Sequence, residues 1–323
     1  MSVLVYTENW DGQFKKSSFE LVSYASKVAA MLNTTVTALS IGTVEKAELE
    51  KLGQFGVNKI IGATGDNTSV FDSQTFTRII ADIAVKEAAT VVILSNNNSG
   101  KAIAPRLSVR LKAGIGSGVS RLPLGVNPFV VYKRTFSGNA FAHLVIKTDI
   151  RILTLAQNSF EIIENNAGAA IEFVALQADG NTAKIQVKDV QKLTGKILLS
   201  DAEIVVSGGR GMKSPENWAP LVELADLLGA ATACSRPVSD EGWRGHEEHT
   251  GQTGKIISPN LYVAIGISGA TQHLAGVSSS KYIVAINTDK DAPIFEAAQY
   301  GIVGDALKVL PKLVEAVKEL KAR

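Results

Sequence analysis

Leu261-Tyr262-Val263-Ala264-Ile265-Gly266-Ile267-Ser268-Gly269-Ala270-Thr271-Gln272-His273-Leu274-Ala275-Gly276 runs from an apolar stretch into a glycine-serine turn and on to polar residues at a helix start. An apolar run of that length, bounded by glycine, reads as a strand buried on both faces, the kind found in parallel sheets. In an open α/β sheet the C-terminal strand ends share one crevice, and ligands bind there. Ser268 is placed to cap the helix that follows, and the free amides of a helix start favour a phosphate. His273 is one of four histidines, in a segment without Asp, Glu, Lys or Arg from Ile256 to Ser279. It is either a core histidine or one that meets a ligand. The same segment carries Ser, Asn, Gln, Pro and Gly, a mix unsuited to hydrocarbon, so it predicts no membrane insertion.

On both sides the alternation of strand and helix continues. Glu203–Val206, Ala230–Cys234 and Tyr282–Ile286 read as strands. Glu216–Leu228 reads as a helix with Trp218, Leu221, Leu224, Ala225 and Leu228 on one face, and Ala306–Leu320 as a terminal helix. Together they predict a small doubly wound domain over residues 196–323. Before it, residues 172–196 are polar and hold Asp179-Gly180-Asn181 and Thr194-Gly195, so the boundary is predicted near 195.

Residues 1–195 predict an N-terminal α/β domain. Its strands are Val3–Tyr6, Thr35–Ile41, Val57–Ile61 and Thr90–Leu94. Helical stripes run through Phe19, Val22, Ala25, Ala29 and Leu32, and through Phe76, Ile79, Ile80, Ile83 and Ala84. Glu45–Gly53 is a short helix with Gly53 as its C-cap, and another helix runs from near Gly100 to Leu111. After Gly118, Phe129–Arg134, Ala140–Lys147 and Ile150–Leu155, with Ser137-Gly138-Asn139 as a turn, predict antiparallel strands added to the sheet. The predicted fold class is therefore α/β with two doubly wound domains. The first is a mostly parallel sheet with added antiparallel strands, and the second is a smaller parallel sheet that carries the ligand.

Composition excludes several function classes. The 323 residues suit about two domains. With 33 basic and 31 acidic residues, the net charge of +2 gives no electrostatic reason to expect nucleic acid, and 6% aromatics offer few base-stacking surfaces. The single cysteine, Cys234, allows no internal disulfide and no cysteine-rich metal site. Met1–Tyr6 enters a strand directly, without a basic or signal-like leader, which predicts a cytoplasmic protein.

Four motifs lie at predicted strand ends. Ser207-Gly208-Gly209-Arg210-Gly211 is either a phosphate-approaching loop or a plain tight turn; with Ser214 it fails the dinucleotide fingerprint. Ser235-Arg236 could hold an electron-rich ring or be a turn serine beside a surface arginine. Thr250-Gly251-Gln252-Thr253-Gly254-Lys255 suits hydrogen bonds to a heteroaromatic edge, or is a flexible loop. Asn287, near Asp289, reads a ribose or caps its loop. A nucleoside-diphosphate ligand with a polar ring accounts for all of them together, because they converge on one sheet edge.

Leu261 to Gly276, followed by Ile283-Val-Ala-Ile-Asn287, resembles the signature of electron transfer flavoprotein alpha subunits. So do Gly208-Gly-Arg-Gly211, Ser235-Arg236, Gly251-Gln-Thr-Gly-Lys255, Ala292-Pro-Ile-Phe295, and Tyr300-Gly-Ile-Val303 before Asp305. The likeness is dense from about 201 onward and sparser in the first half, at Gly100-Lys101 and Ala104-Pro-Arg106. The resemblance implies FAD on the second domain, facing a smaller beta subunit in a heterodimer. Arg236 would stack near the isoalloxazine, where a cation favours an added electron. His273 would bond the pyrimidine edge of the ring. Ser235, Thr250, Gly251, Gln252 and Thr253 would surround the ring and its ribityl chain. Ser268, Gly269, Ala270, Thr271 and Gln272 would meet the pyrophosphate. Asn287, Asp305, Ala306 and Arg210 would hold the adenosine half. His249 departs from the pattern, since many relatives carry Gln there.

The resemblance further implies an electron carrier without substrate turnover of its own. It would take electrons from acyl-CoA or other dehydrogenases and pass them to a quinone oxidoreductase or another acceptor. No catalytic residue and no metal ligand set is expected. A flavin-dependent oxidoreductase acting on its own substrate, and a nucleotide-binding module without redox work, are the alternative readings.

Overall fold

The structure is a computed structural model that describes residues 1–65, 68–138, 140–176, 188–189 and 197–322. The predicted boundary near 195, the turn signals at 179–181 and 194–195, and Asn139 of the predicted turn lie outside the described residues. The chain forms two compact units, each with its own sheet.

The first unit alternates β1 (Ser2–Tyr6), α1 (Lys16–Met31), β2 (Thr35–Ile41), α2 (Lys46–Leu52), β3 (Lys59–Thr64), α3 (Ser73–Lys86), β4 (Ala89–Ser95) and α4 (Asn98–Leu111). Then come β5 (Gly114–Val119), β6 (Phe129–Thr135), β7 (Ala140–Ile146), β8 (Arg151–Leu155) and β9 (Ala170–Ala175). The sheet order is β7-β6-β5-β8-β4-β1-β2-β3-β9. Successive strand residues go to opposite faces. Val3, Val5, Val91 and Ile93 pack with Leu21, Tyr24 and Val28 of α1. Leu4, Tyr6, Val92 and Leu94 pack with Ile80 and Ile83 of α3 and Leu107 of α4. Helices on both faces explain why the central strands read as unbroken apolar runs.

One expectation needs correction here. β6 and β7 pair antiparallel, but Ile150–Leu155 does not join them: β8 runs parallel between β4 and β5. Ile152, Leu153 and Leu155 are buried, and a strand covered on both faces belongs in the parallel centre. Gly53 is the C-cap of α2, as its sequence predicts, and holds that place at φ −62° without the left-handed freedom of glycine.

In the second unit, β10 (Ile204–Gly208), α5 (Ala219–Leu228), β11 (Ala231–Cys234), α6 (Arg236–Asp240), β12 (Leu261–Ile265), α7 (Thr271–Val277), β13 (Tyr282–Asn287), α8 (Ile294–Ala297), β14 (Tyr300–Val303) and α9 (Ala306–Lys321) follow in turn. All five strands pair in parallel, in the order β11-β10-β12-β13-β14. Chain order therefore reverses between β10 and β12, the switch point at which doubly wound sheets bind ligands. Val206, Val263, Ile265 and Ile286 pack beneath Leu221, Leu224, Leu310 and Val314. Val205, Tyr262, Ala264 and Ala285 take the other face with Ile257, Val277 and Ile294. The predicted helix from Glu216 begins later, at Ala219, behind a 3-10 turn over Pro215–Trp218.

Candidate functional site

Every strand of the second unit delivers its C-terminal end to one edge, and the predicted site residues follow those ends. Ser235 and Arg236 follow β11, Arg210 follows β10, Ser268 to His273 follow β12, Asn287 ends β13, and Asp305 with Ala306 follows β14. Thr250 to Thr253 lie on the long β11–β12 connection. Thr250 is tied to the sheet edge, because its amide and hydroxyl both donate to the Cys234 carbonyl, at 3.0 and 3.2 Å.

Glycine's role at this edge is close packing of loops. A Cβ on Gly209 would lie 2.3 Å from the Gly266 carbonyl oxygen, and one on Gly211 would lie 2.6 Å from the Gly266 Cα. The Gly209 and Gly211 amides donate to the carbonyls of Ile265 and Gly266. The two loops flanking the switch point thus seat backbone on backbone. A Cβ on Gly276 of α7 would lie 2.4 Å from the Gly251 Cα, so the 250–255 loop rests directly on α7. The Gln252 amide donates to the Gln272 carbonyl at 2.7 Å and the Ile257 amide to that of Gly276 at 2.9 Å. These bonds bring Thr250–Thr253 and Thr271–His273 together.

Ser268 does not cap α7. The N-cap is Ala270, without a side-chain cap bond. Gly269, at φ +83°, turns the chain so that the Ser268 carbonyl accepts the Ile294 amide at 3.0 Å. Ser268, Ala270, Thr271, Gln272, Gln252 and Thr253 are exposed and form a polar rim. Asn287 uses both halves of its amide locally, donating to the Ile267 carbonyl and accepting from the Asp289 amide. Asp305 caps α9 by accepting the Leu307 amide and pairs with Lys213 at 3.2 Å. Its carboxyl is held below its usual range by that amide and by Lys213. Arg210 is exposed at a 3-10 turn. Arg236 opens α6 and bonds Asp240 at 3.2 Å, with both side chains more than half exposed.

His273 is buried beneath the rim. Its Nε2 lies 2.8 Å from the Tyr262 hydroxyl, and its Nδ1 is buried without a hydrogen-bond partner. Burial, then the nearby His249, pushes its pKa down to about 4, so the ring is neutral at pH 7. His249 is also buried, and burial lowers it ahead of any neighbouring charge. Burial pushes the Cys234 thiol up to about 12, which leaves it a packing residue rather than a nucleophile.

Sequence reasoning missed two supports of the site. Tyr262 is a phenol inside an aliphatic strand, and a buried hydroxyl needs a partner; that was the available signal. Arg244 and Glu248 form a two-pronged pair at 2.6 and 2.7 Å, with the Glu248 side chain 8% exposed. This pair braces the chain just before His249 and Thr250. Glu248→Gln keeps the shape but removes the charge. Arg244 is a quarter exposed, so the cost is discounted for solvent to about 1–2 kcal/mol. We expect faster amide exchange at Thr250 and Lys255, measured in the native state. Unchanged exchange there would remove the brace. Among the described residues no acidic, histidine and cysteine cluster forms a metal site, and no helix is long and apolar enough to cross a membrane.

The family model described as the electron transfer flavoprotein domain matches residues 3–189, and the one described as the electron transfer flavoprotein FAD-binding domain matches residues 198–278. The chain is 35% identical to an electron transfer flavoprotein subunit alpha of Syntrophomonas wolfei, over 98% of both chains. It is 33% identical to the protein of the same name from Bacillus subtilis, again over 98% of both. It is also 31% identical to a lactate dehydrogenase (NAD(+),ferredoxin) subunit of Acetobacterium woodii, over 98% of this chain and 77% of that one. With its topological switch point inside the matched FAD-binding domain, the chain belongs to the electron transfer flavoprotein family, on the alpha-subunit side.

Proposed function

We propose that this chain is the alpha subunit of a two-subunit carrier, holding FAD at the strand ends of its second domain, residues 196–323. Its first domain, residues 1–195, serves to pair with a beta subunit. The carrier takes electrons from acyl-CoA or related dehydrogenases in the cytoplasm and delivers them to a quinone oxidoreductase or another acceptor. It turns over no substrate of its own.

The observation that carries this reading is the buried, unpartnered Nδ1 of a neutral histidine beneath an exposed polar rim. A buried ring nitrogen without a partner costs free energy unless a ligand supplies one. The rim suits a dinucleotide: Ser268, Gly269, Ala270, Thr271 and Gln272 offer hydroxyls and amides to a pyrophosphate. Ser235, Thr250, Gly251, Gln252, Thr253 and His273 line a ring site, with Arg236 beside it. Arg210, Asn287, Asp305 and Ala306 take the adenosine half. FAD, when bound, supplies a ring that accepts and releases electrons. The residues bind and orient it, and Arg236 supplies positive charge.

Co-expression with the beta subunit, followed by size-exclusion chromatography and a visible spectrum, tests this. We expect a yellow one-to-one complex that is reduced only when a donor dehydrogenase is added. A colourless complex that takes up no FAD, or turnover of a substrate without a dehydrogenase, would overturn it.

A further inference from the structure

One contact of the site decides where a proton sits: the Tyr262 hydroxyl lies 2.8 Å from His273 Nε2. Its side chain is fully buried on the α7 face of β12, and burial raises its pKa well above the usual value, so the phenol keeps its proton. A buried hydroxyl must donate that proton to an acceptor. The Ser207 and Thr250 hydroxyls also face the phenol, but the contact at hydrogen-bond distance is the one to His273. His273 Nε2, at 2.8 Å, is the acceptor within hydrogen-bond distance. The imidazole is neutral and carries one proton. If Nε2 accepts, that proton is on Nδ1. Half a turn of the ring would put a carbon against the phenol and leave the hydroxyl without a partner.

We propose that Tyr262 is a positioning residue: it donates to His273 Nε2 and so keeps the single imidazole proton on Nδ1, the nitrogen the protein leaves unpartnered, ready for an acceptor atom of a bound ligand. The logic is that of a second group fixing the tautomer of a histidine that works at a site. The tautomer assignment stands on the protein alone. Only the identity of the acceptor, a ring carbonyl of FAD, rests on the function proposed above.

The test uses the full chain in complex with its beta subunit, labelled with 15N at its four histidines, His143, His246, His249 and His273. Two-bond 15N–1H correlation spectra read the tautomer, and His273→Asn identifies the His273 signals by their loss. In the unsubstituted chain we expect a protonated Nδ1 and a pyridine-like Nε2. Tyr262→Phe should move His273 to the other tautomer or to a mixture, and should weaken FAD binding roughly fivefold to tenfold. A protonated Nε2 in the unsubstituted chain overturns the proposal without any variant having to fold. So does an unchanged tautomer in a folded Tyr262→Phe chain. If the tautomer shifts as expected but neither chain takes up FAD, the positioning role is supported and the flavin reading alone falls.

Discussion

Gly276→Ala should lower the thermal midpoint of the chain by about 5–10 °C and weaken FAD binding at least about thirtyfold. Two effects compete at this position. Gly276 lies inside α7, where alanine is the better helix former by about 1 kcal/mol. Propensity alone would therefore make the variant more stable. Against it, the new methyl would lie 2.4, 2.6 and 2.7 Å from the Cα, N and carbonyl carbon of Gly251. No rotamer relieves a clash of Cβ with backbone, so the 250–255 loop has to move off the helix. Overpacking of this kind costs about 1–3 kcal/mol and occasionally more, which outweighs the propensity gain. The loop is tied to α7 through the Gln252 and Ile257 amides, so displacement breaks those bonds as well. Gln252 and Thr253 then lose their placement relative to His273, and ligand binding suffers more than stability. Differential scanning calorimetry and a flavin titration on the same sample read both numbers. A variant that melts higher and binds FAD unchanged would show that the loop does not rest on α7.

Close contacts of this sort were not legible in the sequence. Gly251, Gly266, Gly269 and Gly276 read equally well as flexible turn residues and as sites of backbone approach, because periodicity says nothing about what lies across a crevice. Strands covered on both faces were the easy part. Thr35–Ile41 and Leu261–Ile265 hold β-branched and apolar residues at every position but Ser40, and their observed bounds are the ones read from the residues. Strand direction was harder. Ile150–Leu155 looks the same whether it pairs parallel or antiparallel, and only the strands beside it decide. The edge strand Tyr300–Val303 carried no burial pattern to read, since all four residues are exposed. Within the site, strand ends predicted which loops converge, through topology alone. Side-chain detail did not follow. Ser268 looked like a helix cap because it precedes polar residues, yet the turn at Gly269 moves the cap to Ala270. The bond between Tyr262 and His273 depends on the packing of α7 against the sheet, which no local pattern records.

Arg236→Ala should lower the midpoint potential for the first electron taken up by the bound flavin by about 60 mV, a tenfold change in the equilibrium. Guanidinium stays charged throughout the working pH range, and a cation beside a ring that gains an electron stabilises the product. The effect has an upper limit set by solvent. Arg236 and its partner Asp240 are both more than half exposed, so their fields are screened, and a full interior charge effect is out of reach. Asp240 supplies the control. It sits 3.2 Å from Arg236 and offsets part of its charge, so Asp240→Asn should shift the potential upward, by less than the arginine variant lowers it. Opposite signs from two substitutions on one short helix separate electrostatics from damage to the fold, which would move both the same way. Arg236→Lys keeps the charge but loses the planar group that stacks, and should fall between Ala and the unsubstituted chain. Raising ionic strength should shrink all three shifts. The measurement is a spectroelectrochemical titration of the complex at fixed pH in low and high salt. Potentials unmoved by both Arg236→Ala and Asp240→Asn would place this helix too far from the flavin to tune it.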